Sequence, residues 1–385
     1  MPGVTGSMSE TNKAYLNDKA ALLLQPACDG SSVHRSSIIQ QWGLFGGLTP
    51  ITSEISSTTS AADTVKLYLN TQERFCLLAV GVQNGGKSHT VGAVVENCML
   101  QLPGIIHSAP TATSVMHYDE DTTAQCELST LTAAGADTPR SVDVFVRNTT
   151  VLVSPNYFQQ MLVQEKYRGV PNTSVQPLLL DWDVLSADQL KIIMQLSFDQ
   201  VSSSSVPHYF GALLNKLPEY QRCESMPPYH NFREQLSSKS STGFTSSQME
   251  PLELRLKLLD AVVQQSAKNV RDYSNRKTFM DAMQDAYDTQ GIVIADLSDP
   301  LISKQQANCI FQVVLQQFCN KEWNGDKPVR RKLVVFDEAH KYISNDGDGL
   351  AHEMLKVVRT MRLTGMRIVV STQSPAELPH EMLAL

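Results

Sequence analysis

The chain has 385 residues, enough for two or three average domains or for one large α/β domain with insertions. Its net charge of −7 lacks the basic bias usual in nucleic-acid-binding domains, and its seven cysteines form no C-x-x-C pair of a zinc or redox site. There is no apolar run of about 18 residues that would indicate a membrane span, and no secretory leader. We therefore expect a globular protein of the cytoplasm or nucleus, with buried, reduced thiols.

Residues 1–72 are polar and rich in Ser and Thr, and they predict a partly disordered N-terminal extension. Short apolar runs interrupt this region, so one or two strands are expected within it. Residues 66–68 are expected to start a strand that pairs near the strand beginning at residue 75.

Residues 75–100 run from an apolar strand through a glycine-rich turn into a helix. Gly81, Gly86, Lys87 and Ser88 match the phosphate-binding P-loop, G-x-x-x-x-G-K-[ST], in the strand–turn–helix context that the motif requires. Glycines let backbone N–H groups approach phosphate oxygens, and the helix N-terminus adds further donors. Lys87 is expected to bridge the β- and γ-phosphates, and Ser88 to bind Mg²⁺. The alternative is a glycine-rich turn with no ligand. The predicted ATP-binding residues are Gly81, Val82, Gln83, Asn84, Gly85, Gly86, Lys87, Ser88 and His89.

The middle of the chain contains further β-like runs at 113–118, 142–146, 151–153 and 175–180. The first of them ends in an acidic cluster, Asp119 to Asp121, which we interpret as a solvated loop; the alternative is a place at the ligand edge of the sheet. The predicted organisation is a first part of an ATPase domain at 73–196, a Ser-rich and helical insertion at 197–289, and a second part of the domain at 290–385. Helices are expected around 185–196, 209–217, 251–267 and 277–287.

Three buried strands are predicted in the last hundred residues, at 291–296, 333–336 and 368–370, and amphipathic helices separate them. Gly365 is a natural stop for the helix that precedes the third strand. Continuous apolar strands alternating with helices favour a mostly parallel sheet covered on both faces. We therefore predict a RecA-like three-layer α/β P-loop fold with an irregular helical insertion.

The segment KLVVFDEAH, residues 332–340, supplies the acidic pair that an ATP hydrolase needs. A buried strand delivers Asp337 at its carboxyl end, where the carboxylate could hold Mg²⁺ through water. Glu338 would orient and deprotonate the attacking water, a role that a kinase or a passive nucleotide binder does not need. The alternative is that Glu338 only stabilises a helix N-terminus.

Gln373 follows the next strand and could contact the γ-phosphate or the attacking water, or could simply be a turn residue before Pro375. The string Asp-Glu-Ala-His suggests a DEAH-box helicase. We reject that interpretation, because most of the chain separates Lys87 from Asp337, and because no second RecA-like lobe is expected after Gln373.

Four segments resemble the HerA–FtsK superfamily of P-loop ATPases, namely GVQNGGKSHT, GIVIADLSDP, KLVVFDEAHKYIS and VRTMRLTGMRIVVSTQSPAELP. The resemblance covers residues 74–118 and 290–381 and implies a ring-forming ATPase with ATP at the subunit interfaces, of a group that includes DNA-pumping motors and conjugation ATPases. It implies that Gln373 is a sensor and that Arg362, with Arg359 as second choice, enters the neighbouring subunit's site. For both arginines the alternative is a solvated helix end.

This sequence also departs from the family pattern. The P-loop reads Asn84-Gly85-Gly86, and Asn tolerates the backbone angles that glycine would adopt there. The strand that would flank the P-loop strand is missing, so that strand is expected at a sheet edge and the chain could be truncated at its C-terminus. The basic run Lys327, Arg330, Arg331 and Lys332 is interpreted as a solvated loop, with nucleic-acid contact or nuclear targeting as the minor alternative.

The first functional hypothesis is Mg-dependent ATP hydrolysis by an oligomeric motor, coupled to nucleic acid on the strength of the resemblance alone. The second is a regulatory or scaffold protein that binds ATP and hydrolyses it slowly or not at all. A third is an incomplete ATPase for which no neighbour supplies the arginine.

Overall fold

The computed structural model describes residues 22–24, 42–48, 65–100, 110–132, 146–158, 160, 165–195, 228–237, 246–263, 277–321, 331–343 and 349–383. The strands are β1 (Leu22–Leu24), β2 (Trp42–Leu48), β3 (Val65–Asn70), β4 (Cys76–Val80), β5 (Ala112–His117), β6 (Thr149–Val153), β7 (Thr173–Pro177), β8 (Ile292–Asp296), β9 (Lys332–Asp337) and β10 (Met366–Thr372). The helices are α1 (Lys87–Met99), α2 (Pro155–Phe158), α3 (Ala187–Ile193), α4 (Tyr229–Ser237), α5 (Ser246–Val262), α6 (Phe279–Thr289), α7 (Lys304–Asn320), α8 (Gly349–Thr364) and α9 (His380–Leu383). None of the described helices is long and apolar enough to cross a membrane.

Seven parallel strands form the central sheet, in the order β4-β10-β9-β5-β8-β6-β7. Strand β10, which Gln373 follows, lies between the P-loop strand β4 and strand β9, which ends at Asp337. All seven strands run in the same direction, so the residues that follow β4, β9 and β10 meet at one edge of the sheet.

Buried apolar side chains cover both faces of this sheet, as the continuous apolar strands predict. On β9, Val334 and Phe336 join the core cluster formed with α3 to α8, whereas Leu333 and Val335 join the cluster formed with α1. The alternation places one layer of helices on each face. The predicted three-layer α/β fold is confirmed.

A second, three-stranded antiparallel sheet has the order β1-β3-β2. The strand predicted at 66–68 is β3, but it pairs with β1 and β2 and not with a strand of the central sheet. Phe45 of β2 packs against the core cluster around α1, so this sheet contacts the P-loop helix. Among the described strands, β4 is therefore at one edge of the central sheet, as expected.

Several helices begin or end at residues that favour a helix terminus. Ser303, Thr278 and Ser186 each form a capping box at the start of α7, α6 and α3. After α8, Gly365 has a φ of 73°, in agreement with its predicted role as a stop. The predicted helix at 251–267 begins earlier, at Ser246, and the predicted strand at 175–180 ends at Pro177, after which Leu178 to Leu180 stay buried. The predictions at 142–145 and 209–217 lie outside the described residues.

Helices α4 and α5 pack together next to Trp182. The rings of Tyr229 and Phe232 both lie 5.0 Å from that of Trp182, and Arg233 of α4 forms ion pairs with Glu253 and Asp260 of α5. Helix α6 packs on β5, β6 and β8 of the central sheet. The described helices of the region 228–289 thus belong to the main core cluster.

The interpretation of the basic run as a solvated loop is wrong for Arg331 and Lys332, which are both buried. The Lys332 ammonium donates to the carbonyls of Phe318, Cys319 and Lys321 at 3.0, 2.7 and 2.9 Å, and so satisfies the C-terminal end of α7. The charge stays buried because a helix C-terminus is a partial negative charge. Lys327 and Arg330 lie outside the described residues.

Arg331 and Arg367 hold the connection between the two sheets. Arg367 donates from Nη2 to the carbonyls of Thr71 and Gln72 at 2.8 and 3.2 Å, and Arg331 donates to Thr71 at 3.4 Å. Burial and the charge of Arg367 lower the pKa of Arg331 to about 10. Two buried guanidinium groups thus bind the backbone that joins β3 to β4.

Candidate functional site

The glycine-rich loop after β4 has the backbone geometry of a phosphate cradle. A Cβ on Gly85 would lie 2.9 Å from the carbonyl oxygen of Val82, so no larger residue fits without a shift of the loop. Gly86 has a φ of 82° and Asn84 a φ of 60°, in the left-handed region that glycine and asparagine adopt most readily. The Gly81 N–H donates to the carbonyl of Thr372 at 3.4 Å, which ties the loop to the end of β10.

Helix α1 begins at Lys87 with no capping side chain on Gly86 and no acidic residue in its first turn. Its first N–H groups therefore keep a positive field at the loop, which favours an anion there. The Lys87 side chain is buried and its ammonium donates to the carbonyl of Val82 at 3.1 Å. Residues 82–86 and His89 are exposed, and Gly81 and Ser88 are half-buried, so all the predicted binding residues except Lys87 are accessible to solvent.

Asp337 is the last residue of β9, and Glu338 follows in a left-handed backbone conformation with φ 49° and ψ 46°. For a residue other than glycine this conformation costs about 1–2 kcal/mol. Glu338 precedes the short 3₁₀ turn Ala339–Lys341 but makes no side-chain hydrogen bond to it. Its side chain thus gives no capping hydrogen bond to the N-terminus of this turn.

Lys87, Glu338 and Gln373 come together at the carboxyl edge of the sheet. The Lys87 ammonium lies 3.6 Å from Oε1 of Glu338, and the Gln373 amide donates to Oε2 at 3.1 Å. The strand order explains the contact, because β4, β10 and β9 are neighbours. Glu338 and Gln373 directly follow β9 and β10, and Lys87 begins the helix after the loop that follows β4. Lys87 and Gln373, which are far apart in the sequence, thus both contact the Glu338 carboxylate.

His340 is a further residue of this cluster that the sequence interpretation missed. Its Nδ1 lies 3.5 Å from Oε2 of Glu338 and accepts from the Gln373 N–H at 3.4 Å. Burial lowers the pKa of His340, and although Glu338 opposes the shift, Lys341 and Lys87 add to it. The position of His340 two residues after Glu338 was a usable signal, but the sequence does not show that the 3₁₀ turn brings the ring back.

Asp337 is held by two buried donors. Nδ1 of His117 lies 2.9 Å from its Oδ2, and the Cys126 thiol donates to the same oxygen at 3.7 Å. Burial alone would lower the pKa of His117, but the hydrogen bond to Asp337 and the charges of Asp296 and Asp337 raise it overall. Neither His117 nor Cys126 was among the predicted site residues.

A second carboxylate, Asp296, ends β8 next to His117. It accepts from the Lys166 ammonium at 2.8 Å, from the Tyr167 hydroxyl at 2.7 Å and from the Ser298 N–H at 3.0 Å. Burial works against ionisation, but the charges of His117 and Lys166 and these hydrogen bonds lower the pKa of Asp296 overall. The carboxylate is thus held ionised beneath the site.

The residues present fit a magnesium ion. Magnesium prefers oxygen ligands, and the Asp337 carboxylate and Ser88 hydroxyl lie at the ends of β9 and the P-loop on the same sheet edge. Both hydrogen bonds to Asp337 fall on Oδ2, so neither donor engages Oδ1. A bound metal would neutralise phosphate charge at this edge.

Arg362 does not join the site within one chain. It lies in the last turn of α8, just before the amino end of β10, whereas Gln373 follows the carboxyl end. A strand advances about 3.3 Å per residue, so the two ends of β10 are about 20 Å apart. The Arg362 side chain is exposed, and Arg359 pairs with exposed Glu381 at 2.7 Å.

The acidic cluster lies at the carboxyl end of β5. Asp119 forms an ion pair with Lys341, and its N–H donates to Ser298 at 3.0 Å, whereas Glu120 and Asp121 are exposed. The solvated interpretation therefore holds for Glu120 and Asp121. It is wrong for Asp119, because the turn after Glu338 brings Lys341 to it.

No protein-family model matches the chain, and no curated protein matches it. Among solved structures, it is similar to the bacterial conjugative coupling protein TrwBdeltaN70, with 11% identity and a TM-score of 0.37, over 79% of this chain and 63% of that one. It is also similar to VirB4 of Thermoanaerobacter pseudethanolicus, with 10% identity and a TM-score of 0.34, over 79% of this chain and 70% of that one. The chain thus spans less than two thirds of the length of TrwBdeltaN70. Because both TM-scores are below 0.5, the activity of this chain has to be inferred from its own residues.

The order of the strands and the motifs at their ends agree with one family of proteins. The P-loop follows β4, the acidic pair ends β9, and the glutamine follows the strand between them. In these features the chain resembles the P-loop ATPases of the HerA–FtsK superfamily.

Proposed function

We propose that this protein binds ATP with Mg²⁺ and hydrolyses it. The observation that carries the proposal is the convergence of Lys87, Glu338 and Gln373 from three adjacent strands onto one edge of the sheet. A phosphate-binding loop alone would serve any nucleotide binder. A carboxylate held beside the P-loop lysine adds a base for water.

The phosphates would lie on the loop of residues 81–89, where the uncapped N-terminus of α1 and the Lys87 ammonium supply positive charge. Ser88 and Asp337 would hold the magnesium ion, which supplies further neutralisation of the phosphate charge when bound. The γ-phosphate would then point toward Glu338 and Gln373.

Glu338 would act as the general base. In the arrangement described here, Lys87 and Gln373 both contact its carboxylate. A bound triphosphate would compete for the Lys87 ammonium and so leave Oε1 of Glu338 to accept a proton from water. Gln373, which still contacts Oε2, would orient the base or report the state of the phosphate to β10.

Arg362 would complete the site of a neighbouring subunit, because it lies at the opposite end of β10 from its own chain's site. A second subunit is therefore part of the proposal, and so is coupling to nucleic acid, which depends on the family resemblance. The proposed oligomer is a ring in which each chain supplies a base to its own nucleotide and an arginine to the next.

The test is a comparison of Glu338→Gln with the unmodified protein. We expect kcat for ATP to fall by about 10²–10⁴, the usual contribution of a general base, while nucleotide affinity stays the same or rises because the bond between Lys87 and Glu338 is lost. Glu377→Gln, an exposed change four residues after Gln373, is the matched control and should leave kcat unchanged.

Unchanged turnover in Glu338→Gln would contradict the role of the base. Nucleotide binding by the unmodified protein without hydrolysis, with or without DNA, would favour the regulatory hypothesis instead. Stimulation by DNA that falls as salt rises would support a nucleic-acid substrate.

A further inference from the structure

The contacts around Asp337 belong to a network that the roles proposed above do not use. His117 and Cys126 both donate to Oδ2 of Asp337, at 2.9 and 3.7 Å. A carboxylate that binds a metal is ionised and has no hydrogen to give, so the hydrogen of the shorter contact belongs to Nδ1 of His117. The imidazole is therefore a donor aimed at the predicted magnesium ligand.

The sheet fixes His117 in this place. It is the last residue of β5 and is paired in register with Asp337 on one side and with Asp296 on the other. The side chain is almost fully buried. Because β5 is paired on both sides, the backbone of His117 has little freedom to move its side chain away from Asp337.

The second ring nitrogen shows where the imidazole acts. Nε2 of His117 is buried and makes no hydrogen bond to any part of the chain that the structure describes. Among the described residues, the imidazole ring of His117 therefore makes its hydrogen bond through Nδ1, to Asp337.

We propose that His117 is a positioning residue for the magnesium site: it fixes Oδ2 of Asp337 so that Oδ1 faces the metal. This proposal rests on the proposed function. Cys126 assists by donating to the same oxygen. Asp296, itself held by Lys166 and Tyr167, keeps a negative charge behind the ring.

The same three side chains offer the nitrogen, sulfur and oxygen donors of a zinc-type site, and these atoms lie within 4.8 Å of one another. One observation favours positioning. Metal-bound imidazoles usually give their second nitrogen to a partner, and Nε2 of His117 makes no such bond to the described residues.

The experiment measures binding of a fluorescent ATP analogue while Mg²⁺ is titrated, in the unmodified chain and in two variants of equal polarity. Asn at position 117 places an amide N–H where Nδ1 now lies, whereas Gln places it one bond further out. We expect His117→Gln to raise the half-saturating Mg²⁺ concentration on the order of tenfold, the usual effect of losing one hydrogen bond to a charged group. His117→Asn should stay within about threefold, and both should bind nucleotide normally in EDTA.

Asp337→Asn is the reference for a lost metal ligand and should abolish the Mg²⁺ dependence. If the unmodified chain binds no nucleotide, the proposed function fails. If it binds with Mg²⁺ dependence and both variants match it, the positioning role fails while the proposed function stands. A cobalt–thiolate absorption band that appears with Co²⁺ and disappears in Cys126→Ala would overturn the proposal in favour of a soft-metal site.

Discussion

Glu338 combines a strained backbone with two attractive contacts, and the combination is informative about its role. Its left-handed conformation is unfavourable by about 1–2 kcal/mol, yet its carboxylate is held by Lys87 and Gln373. Strain of this kind persists where the surrounding structure requires one orientation. The conformation turns the chain sharply after β9, so that Asp337 and Glu338 face different partners.

The sequence motifs predicted Lys87, Asp337, Glu338 and Gln373, because each follows a buried strand at a recognisable spacing. They could not reveal His117 or Asp296. These residues end strands too, but nothing in the sequence says that β5 lies between β9 and β8. The pairing register, and not the local pattern, brings His117 to Asp337.

Asp296 gives a pH-dependent test at the scale of single residues. We expect Asp296→Asn to lower the free energy of unfolding at pH 7 by about 3–5 kcal/mol, because Lys166 would be left buried without its partner. The pKa of Asp296 is lower in the folded protein than in the unfolded chain, so its stabilisation is complete above about pH 4 and is lost as the pH falls through the folded value.

Urea unfolding between pH 7 and pH 3 measures this effect. The difference in free energy of unfolding between the unmodified protein and Asp296→Asn should shrink below about pH 4. Asp188→Asn is the control, since Asp188 is 78% exposed and its bond to Lys191 is a surface ion pair. If the difference in free energy of unfolding stayed constant at all pH values, the lowered pKa of Asp296 in the folded protein would be contradicted.

At the scale of elements, the amino ends of β9 and β10 hold buried cations that bind backbone carbonyls, which their sequence does not predict. Arg331 and Lys332 look like a solvated basic run, yet the sheet buries both. The reason is that backbone carbonyls at a helix end and in a connecting segment can satisfy a cation. Sequence patterns report charge, but they do not report unpaired carbonyls that the fold brings nearby.

Arg367 offers a test of the connection between the two sheets. We expect Arg367→Met to lower the free energy of unfolding by about 3 kcal/mol, since the carbonyls of Thr71 and Gln72 lose the hydrogen bonds from its guanidinium and Thr71 keeps only the longer bond from Arg331. Hydrogen exchange should increase first in residues 65–72. Arg359→Met, which removes an exposed ion pair with Glu381, should change stability by less than about 1 kcal/mol. Equal effects of the two changes would argue against a special role for Arg367.

At the scale of the whole molecule, the strand order places the proposed base Glu338 and Arg362 at opposite edges of the sheet. Glu338 and Gln373 lie at the carboxyl edge of the sheet, and Arg362 lies near the amino edge. A single chain therefore cannot bring Arg362 to its own nucleotide without dismantling β10. This geometry is compatible with the proposed oligomer, which depends on the family resemblance.

Mixing two inactive variants tests the exchange of arginines. Lys87→Ala removes phosphate binding but keeps Arg362, and Arg362→Ala does the reverse. We expect each to hydrolyse ATP at least about 10³-fold more slowly than the unmodified protein, and we expect the mixture to recover measurable turnover. Arg359→Ala should remain active.

Normal turnover in Arg362→Ala, or a mixture no more active than its components, would rule out this role for Arg362. Loss of activity in Arg359→Ala would move the role to that residue. A chain that stays monomeric with ATP during sedimentation would exclude a ring.

The position of β4 at the edge of the sheet has a consequence for how the protein is made. Among the described strands, β4 pairs with β10 alone, and Cys76 lies opposite Ile368. A ribosome that adds about 5–20 residues per second therefore releases the P-loop strand on the order of tens of seconds before its partner. The nucleotide site cannot assemble until β10 has been made, and until then the nascent chain presents an unpaired apolar strand of the kind that chaperones bind.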